Sequence, residues 1–136
     1  MGHTKVDSAK GPRSLSAIAP GALEAFRRPG QAHLSPLRFR EFFGLGIGEL
    51  ERTLRAPLWL LRREPNDPVV QLRLLAFLQV HSALIDLGKD PITAGFHLRN
   101  TPIPAFQYQT LFEVVRDGRV ADALGYLDSI SSGFVG

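Results

Sequence analysis

The chain has no cysteine, a single tryptophan and a single methionine, Met1. Without cysteine there is no disulfide, no thiolate metal site and no cysteine nucleophile, and the composition suits a reducing compartment, the cytoplasm. Alternating apolar and polar runs flanked by turn residues are also missing, so strands are not expected. A membrane span needs about 20 mostly apolar residues. The longest apolar stretch is broken by Arg73, Gln79 and His81, so no span is expected. Lys5, Asp7 and Lys10 interrupt the first residues and no apolar segment follows, so no secretory leader is expected.

Catalytic groupings are equally sparse. His3, His33, His81 and His97 never fall three or four residues apart, which removes the helical metal pair. His81 falls on an apolar helix, where a hydrogen-bonded interior histidine is the plain reading. Asp86 and Asp90 flank a helix end, where one serves best as a cap. Gly44-Leu45-Gly46-Ile47-Gly48 follows a helix rather than a strand and lacks the remaining spacing of a phosphate loop. Neither an enzyme, a cofactor nor a metal site is expected.

What is present is an ordinary folding composition: 136 residues, 44% hydrophobic and 21% charged. The net charge of +3 hides an asymmetry. Residues 1–64 carry eleven Lys/Arg against six Asp/Glu, net +5, and residues 65–136 carry five against seven, net −2. A basic half joined to an acidic half suggests two surfaces with two partners.

Residues 1–19 have no periodicity and read as a flexible arm, followed by a short helix over 20–28 that Pro29 and Gly30 stop. Ser35-Pro36 starts a helix and Gly44 ends it as a left-handed residue. Ile47, Leu50 and Leu54 mark a second short helix over 48–56, and Leu58 to Leu61 one further turn. Asp67-Pro68 starts the longest helix, to Leu87, with Val69, Leu72, Leu75, Leu78, Leu84, Ile85 and Leu87 as its stripe. Val70, Leu74, Phe77 and Val80 are apolar too, so the helix reads as buried, in the core or in a dimer. Asp90-Pro91 starts a helix over 91–99. Thr101-Pro102-Ile103-Pro104 cannot be helical throughout. Thr110 caps a helix over Leu111 to Asp117, and a last helix covers Arg119 to Ser131. The fold class is all-α, with seven or eight short helices and one long one.

The pair of short helices joined by a glycine-containing turn has the size of a helix–turn–helix. In that motif the second helix enters the major groove, which here presents Glu49, Arg52, Thr53 and Arg55. Arginine bonds guanine and glutamate accepts from cytosine. Arg27, Arg28, Arg38, Arg40, Arg62 and Arg63 are then the phosphate contacts. A solvated helix pair in a bundle has the same spacing, and both readings stand at this point.

Leu98-Arg99-Asn100-Thr101-Pro102-Ile103-Pro104-Ala105-Phe106 resembles the "Leu-Asn-Thr-Pro-Asn-Pro-Ala-Leu" signature of the Xre/MbcA/ParS antitoxins, partners of RES-domain toxins. The likeness continues through Thr110 to Gly118, similar to the family's "Thr-Pro-Leu-Glu-Leu-Leu" helix, and through Val120 to Ile130, similar to its closing helix. It covers about residues 68–136, and 34–63 more loosely. Gln107-Tyr108 replaces the family's Gly-Gly, Leu111 replaces its proline, and Ala56-Pro57 follows Arg55 where the family ends its helix in Arg-Trp.

Residues 1–33, which the resemblance does not cover, are read as a flexible arm with a short helix; the resemblance implies an Xre-like helix–turn–helix at 34–64 and a toxin-binding domain at 68–136. It implies a cytoplasmic antitoxin that dimerises and neutralises a RES-domain toxin, an enzyme that consumes NAD⁺, by blocking its active site. Asn100, Thr101, Pro102, Phe106, Arg116 and Tyr126 are the implied toxin contacts. The tail Ser132, Gly133, Phe134, Val135 and Gly136 is the implied plug. Operator DNA is the second implied partner, through Arg38, Arg40, Glu49, Arg52, Thr53 and Arg55. A regulator acting on DNA alone is the alternative.

Overall fold

A computed structural model describes residues 18–132 of the chain. Eight α-helices account for most of them: α1 (Pro20–Phe26), α2 (Pro36–Phe43), α3 (Ile47–Leu54), α4 (Leu58–Arg63), α5 (Pro68–Asp86), α6 (Pro91–Asn100), α7 (Leu111–Arg116) and α8 (Val120–Ser131). The all-helical reading holds apart from one small ladder, β1 (Pro102–Ile103) and β2 (Gln109–Thr110), antiparallel with Pro102 opposite Thr110. Two-residue strands carry too few positions for any alternation to show in sequence.

Local chemistry sets the helix ends. The Ser35 hydroxyl accepts from the Arg38 N–H at 3.1 Å, and Gly44 stops α2 with φ of 67°. The Asp67 carboxylate accepts from the Val69 and Val70 N–H groups, both at 3.1 Å. Asp90 accepts from the Thr93 N–H at 2.8 Å. Thr110 and Glu113 cap α7 reciprocally, the Glu113 N–H donating to the Thr110 hydroxyl and the Thr110 N–H to the Glu113 carboxylate.

The core is continuous from Ile18 to Leu127. Phe39 of α2 lies 5.1 Å from Phe77 of α5, and Phe77 lies 4.8 Å from Phe112 of α7, ring centre to ring centre. Phe26 of α1 joins them, 5.6 Å from Phe39. The turn at 64–67 therefore separates α4 from α5 in sequence while the packing runs across it. The Gln71 side chain reinforces the crossing, accepting from the Leu34 N–H and donating to the Leu34 and Pro65 carbonyls.

Two expectations need correction. The flexible arm was expected to run to residue 19, yet Ile18 is buried and the Ala19 N–H donates to the Ser82 hydroxyl at 2.9 Å, while the short helix expected over 20–28 forms at Pro20–Phe26 and buries Ala22, Ala25 and Phe26. The stripe on α5 is also different. Val70, Leu74, Phe77, Leu78, Val80 and Leu84 are buried, whereas Val69 and Leu72 are exposed. Both faces of α5 are apolar, so periodicity alone cannot choose between them. α1, α6 and α8 do so by packing against one side. By length and composition α5 is apolar enough to cross a membrane, despite the polar breaks, but 56% of that window is buried inside the fold, as in a core helix.

Candidate functional site

The segment after α6 folds into a small projecting hairpin. Asn100 ends α6 by donating its Nδ2 to the Phe96 carbonyl at 3.0 Å. β1 leads into a single 3₁₀ turn, Pro104–Phe106. Gln107 and Tyr108 then both take left-handed backbone, φ 57° and 69°, and the Tyr108 N–H closes the turn on the Ile103 carbonyl at 2.9 Å. This reversal brings Phe106 onto α8, with its ring centre 5.5 Å from that of Tyr126 and the Arg119 guanidinium 5.5 Å above it. Tyr108 itself is 71% exposed.

Of the residues singled out for toxin contact, Asn100, Thr101, Pro102 and Phe106 share this hairpin, and Tyr126 supports it from α8. Arg116 belongs elsewhere, on a groove described below. Ser132 is exposed and donates its hydroxyl to the Ser129 carbonyl at 3.0 Å. Gly133, Phe134, Val135 and Gly136 lie outside the described residues. Tyr108 and Arg119 were not singled out. The paired left-handed residues give no signal of their own, because neither is glycine or asparagine; the pointer is the Gly-Gly that the resembling family carries there.

The six residues singled out for DNA do not form one surface. Arg38 Nε donates to the Glu24 carbonyl at 3.3 Å and Arg40 Nε to the Leu45 carbonyl at 2.9 Å, so both brace their own surroundings. Glu49 is held by Arg99 through two hydrogen bonds of 3.0 Å. That contact keeps the Glu49 carboxyl below its ordinary pKa against a smaller opposing effect of burial. Thr53 is turned inward and only 2% exposed. Arg52 is exposed. Arg55 ends α3 in left-handed backbone and donates Nη2 to the Arg116 carbonyl at 3.2 Å. Among the phosphate candidates Arg27, Arg62 and Arg63 are exposed, and Arg28 pairs with Glu41 at 3.4 Å.

Thr53, Arg55 and Arg116 meet at a groove of about 280 Å³. Val69, Leu72, Arg73 and Ala76 of α5 line it together with Val115 and Val120. Arg73 was read only as a break in an apolar run. Its Nη1 donates to the Leu54 carbonyl at 2.7 Å, which fixes the end of α3 against α5.

His81 lies among Phe26, Phe42 and Phe43, fully buried. Its Nε2 sits 2.8 Å from the Pro91 carbonyl, which makes Nε2 the protonated nitrogen, and Nδ1 has no partner. Burial holds its pKa below the ordinary value. This is a structural histidine, as expected. Among the described residues no three of His, Asp and Glu converge on a metal position.

Neither family models, characterised proteins nor solved structures match the chain.

Proposed function

We propose that the chain is the antitoxin of a toxin–antitoxin pair, a protein that neutralises a RES-domain, NAD⁺-consuming toxin by binding it and catalyses nothing itself. The observation that carries this reading is the turn at Gln107 and Tyr108. The resembling family has Gly-Gly at these two positions. Both residues here take left-handed backbone, the conformation that glycine adopts at least cost. A turn that favours glycine thus stands where the family carries Gly-Gly, although the residues differ. The exposed hairpin it closes, from Asn100 to Tyr108, is then the contact surface, backed by Phe106 on Tyr126.

In this reading the hairpin and α8 dock on the toxin, and residues 132–136 block the mouth of its NAD⁺ pocket. Ordering such a tail costs conformational entropy, which burial of Phe134 and Val135 has to exceed. The antitoxin works as a homodimer in the cytoplasm. α2 and α3 serve as the helix–turn–helix that represses its own operon, with Arg52 at the DNA. Co-expression with a RES-domain toxin tests the reading. The full chain is expected to preserve growth and NAD⁺, and a chain truncated after Ser131 to lose that protection. Toxin left active beside the full chain overturns the function, and full protection by the truncated chain overturns the plug.

A further inference from the structure

We infer that the groove between α3, α5 and α7 receives an acidic, apolar segment of a protein partner, its carboxylates held by Arg55, Arg73 and Arg116 and its apolar side chain seated against Leu72. This deepens the function proposed above by giving the chain a second protein-binding surface, apart from the hairpin.

Charge complementarity is the first argument. Three arginines and no acidic side chain line the groove. Glu49, which interacts electrostatically with Arg116, is already held by Arg99. Each guanidinium has five N–H donors in a rigid fork suited to carboxylates. Arg55 gives one to the Arg116 carbonyl. Arg73 gives Nη1 to the Leu54 carbonyl. The Arg55 and Arg73 side chains are thus tethered in place with donors to spare, so little of their freedom is lost when an anion arrives.

The groove also contains an unmet polar group. Thr53 lines it, and the Thr53 hydroxyl is buried without a hydrogen-bond partner. Such groups are rare in folded proteins because leaving them unpaired is costly. Arg55 adds to this. Its φ of 55° favours glycine, yet the position carries the longest cationic side chain, over the groove.

The apolar walls decide between partners. Leu72 is 67% exposed and Val69 51% exposed on the same helix, and Ala76, Val115 and Val120 continue that surface. A nucleic-acid backbone has phosphates for the arginines but nothing to cover aliphatic side chains. The one aromatic residue in the lining, Phe77, is buried and presents no face for a base. An extended or helical segment bearing Leu or Ile between Glu or Asp satisfies all of these features together.

The test is an NMR titration of the ¹⁵N-labelled full chain with three probes: a capped peptide of alternating glutamate and leucine, its lysine counterpart, and a short DNA duplex. The acidic peptide is expected to shift the amide signals of Leu72, Arg73 and Val120. Leu72→Ser and Arg116→Glu should each weaken that binding at least tenfold, and Arg116→Lys should retain part of it. Leu72→Ser alters an exposed position, so an unchanged thermal midpoint keeps the test valid even if Arg116→Glu unfolds. No shift with the acidic peptide, equal shifts with the lysine peptide, or stronger shifts of the same signals with DNA would each overturn the assignment. Because the titration contains no toxin, its failure leaves toxin neutralisation standing, and failure of toxin neutralisation leaves the titration standing.

Discussion

Glu49 and Arg99, fifty positions apart, face each other in a two-point contact, Nη1 to Oε2 and Nη2 to Oε1, both at 3.0 Å. The pair joins α3 to α6, and the Arg99 guanidinium also lies 5.1 Å over the Phe112 ring. A residue that looks from sequence like a base-reading glutamate is thus a brace between the helix-pair region and the helix leading into the hairpin. The contact ties α3 directly to α6 and so to the exposed segment after it.

Breaking the brace has a measurable cost. The two side chains are 28% and 25% exposed, so water screens the pair only in part. Glu49→Gln is expected to lower stability by about 1–2 kcal/mol and the thermal midpoint by about 3–8 °C. Arg99→Ala should cost more, since it also uncovers Phe112. The exchanged pair Glu49→Arg with Arg99→Glu should recover part of the loss. The pH dependence has a definite sign. The folded-state pKa of Glu49 lies below the ordinary carboxylate value, so its contribution is fully present above about pH 4.3 and is lost as pH falls through the folded pKa. A midpoint unaffected by Glu49→Gln at pH 7 contradicts the brace.

The helix starts were legible because capping is local chemistry. Ser35, Asp67, Asp90 and Thr110 each bond a backbone N–H within three residues. The inward face of α5 was not legible, because both of its faces are apolar and the choice is made by α1, α6 and α8. Nor was Glu49–Arg99, since nothing in either residue's neighbourhood points to the other. The groove was missed for the same reason. Thr53, Arg55, Arg73 and Arg116 come from α3, α5 and α7, and only folding brings them together. The hairpin was half legible: the prolines excluded helix there, but two left-handed residues without glycine left no trace of their own.

Two helical glycines should respond to alanine in opposite directions. At Gly95 a Cβ would sit 2.5 Å from the Phe42 ring. That ring is confined by Phe26, Phe43 and His81 and cannot simply swing away. At Gly125, in α8, nothing lies within 4 Å of the added carbon. Gly125→Ala is expected to stabilise by about 0.5–1 kcal/mol through helix propensity alone. Gly95→Ala should destabilise by about 1–3 kcal/mol from overpacking. Urea unfolding of both variants checks the pair, and a gain at Gly95 would mean that Phe42 has room to move.

The turn at Gln107 and Tyr108 predicts a separation of stability from binding. Non-glycine residues in left-handed backbone carry a cost of about 1–2 kcal/mol each. Tyr108→Gly relieves that strain and is expected to leave stability unchanged or raise it by up to about 1 kcal/mol, while removing a 71%-exposed aromatic side chain from the proposed contact surface. Toxin affinity should fall at least tenfold. Gln107→Val, branched at Cβ where the backbone tolerates branching least, should instead destabilise by about 1 kcal/mol or more. Equal toxin affinity for Tyr108→Gly and the parent chain would remove Tyr108 from the interface.

His81 sets a second pH window, above that of Glu49. Its folded-state pKa is lowered, chiefly by burial among Phe26, Phe42 and Phe43, with the bond to the Pro91 carbonyl opposing. Above about pH 6.5 the ring is neutral in both folded and unfolded chains and contributes no pH dependence. As pH falls below that value the unfolded chain takes up a proton that the folded chain refuses. Stability therefore declines by up to about 1.4 kcal/mol per pH unit until the folded pKa is reached. Thermal midpoints recorded between pH 7.5 and pH 5 should show this fall in the parent chain. His81→Leu gives up the hydrogen bond to Pro91 and is less stable at pH 7.5, but it should lose that part of the slope. A variant with the parent's full slope would assign the acid sensitivity to another group.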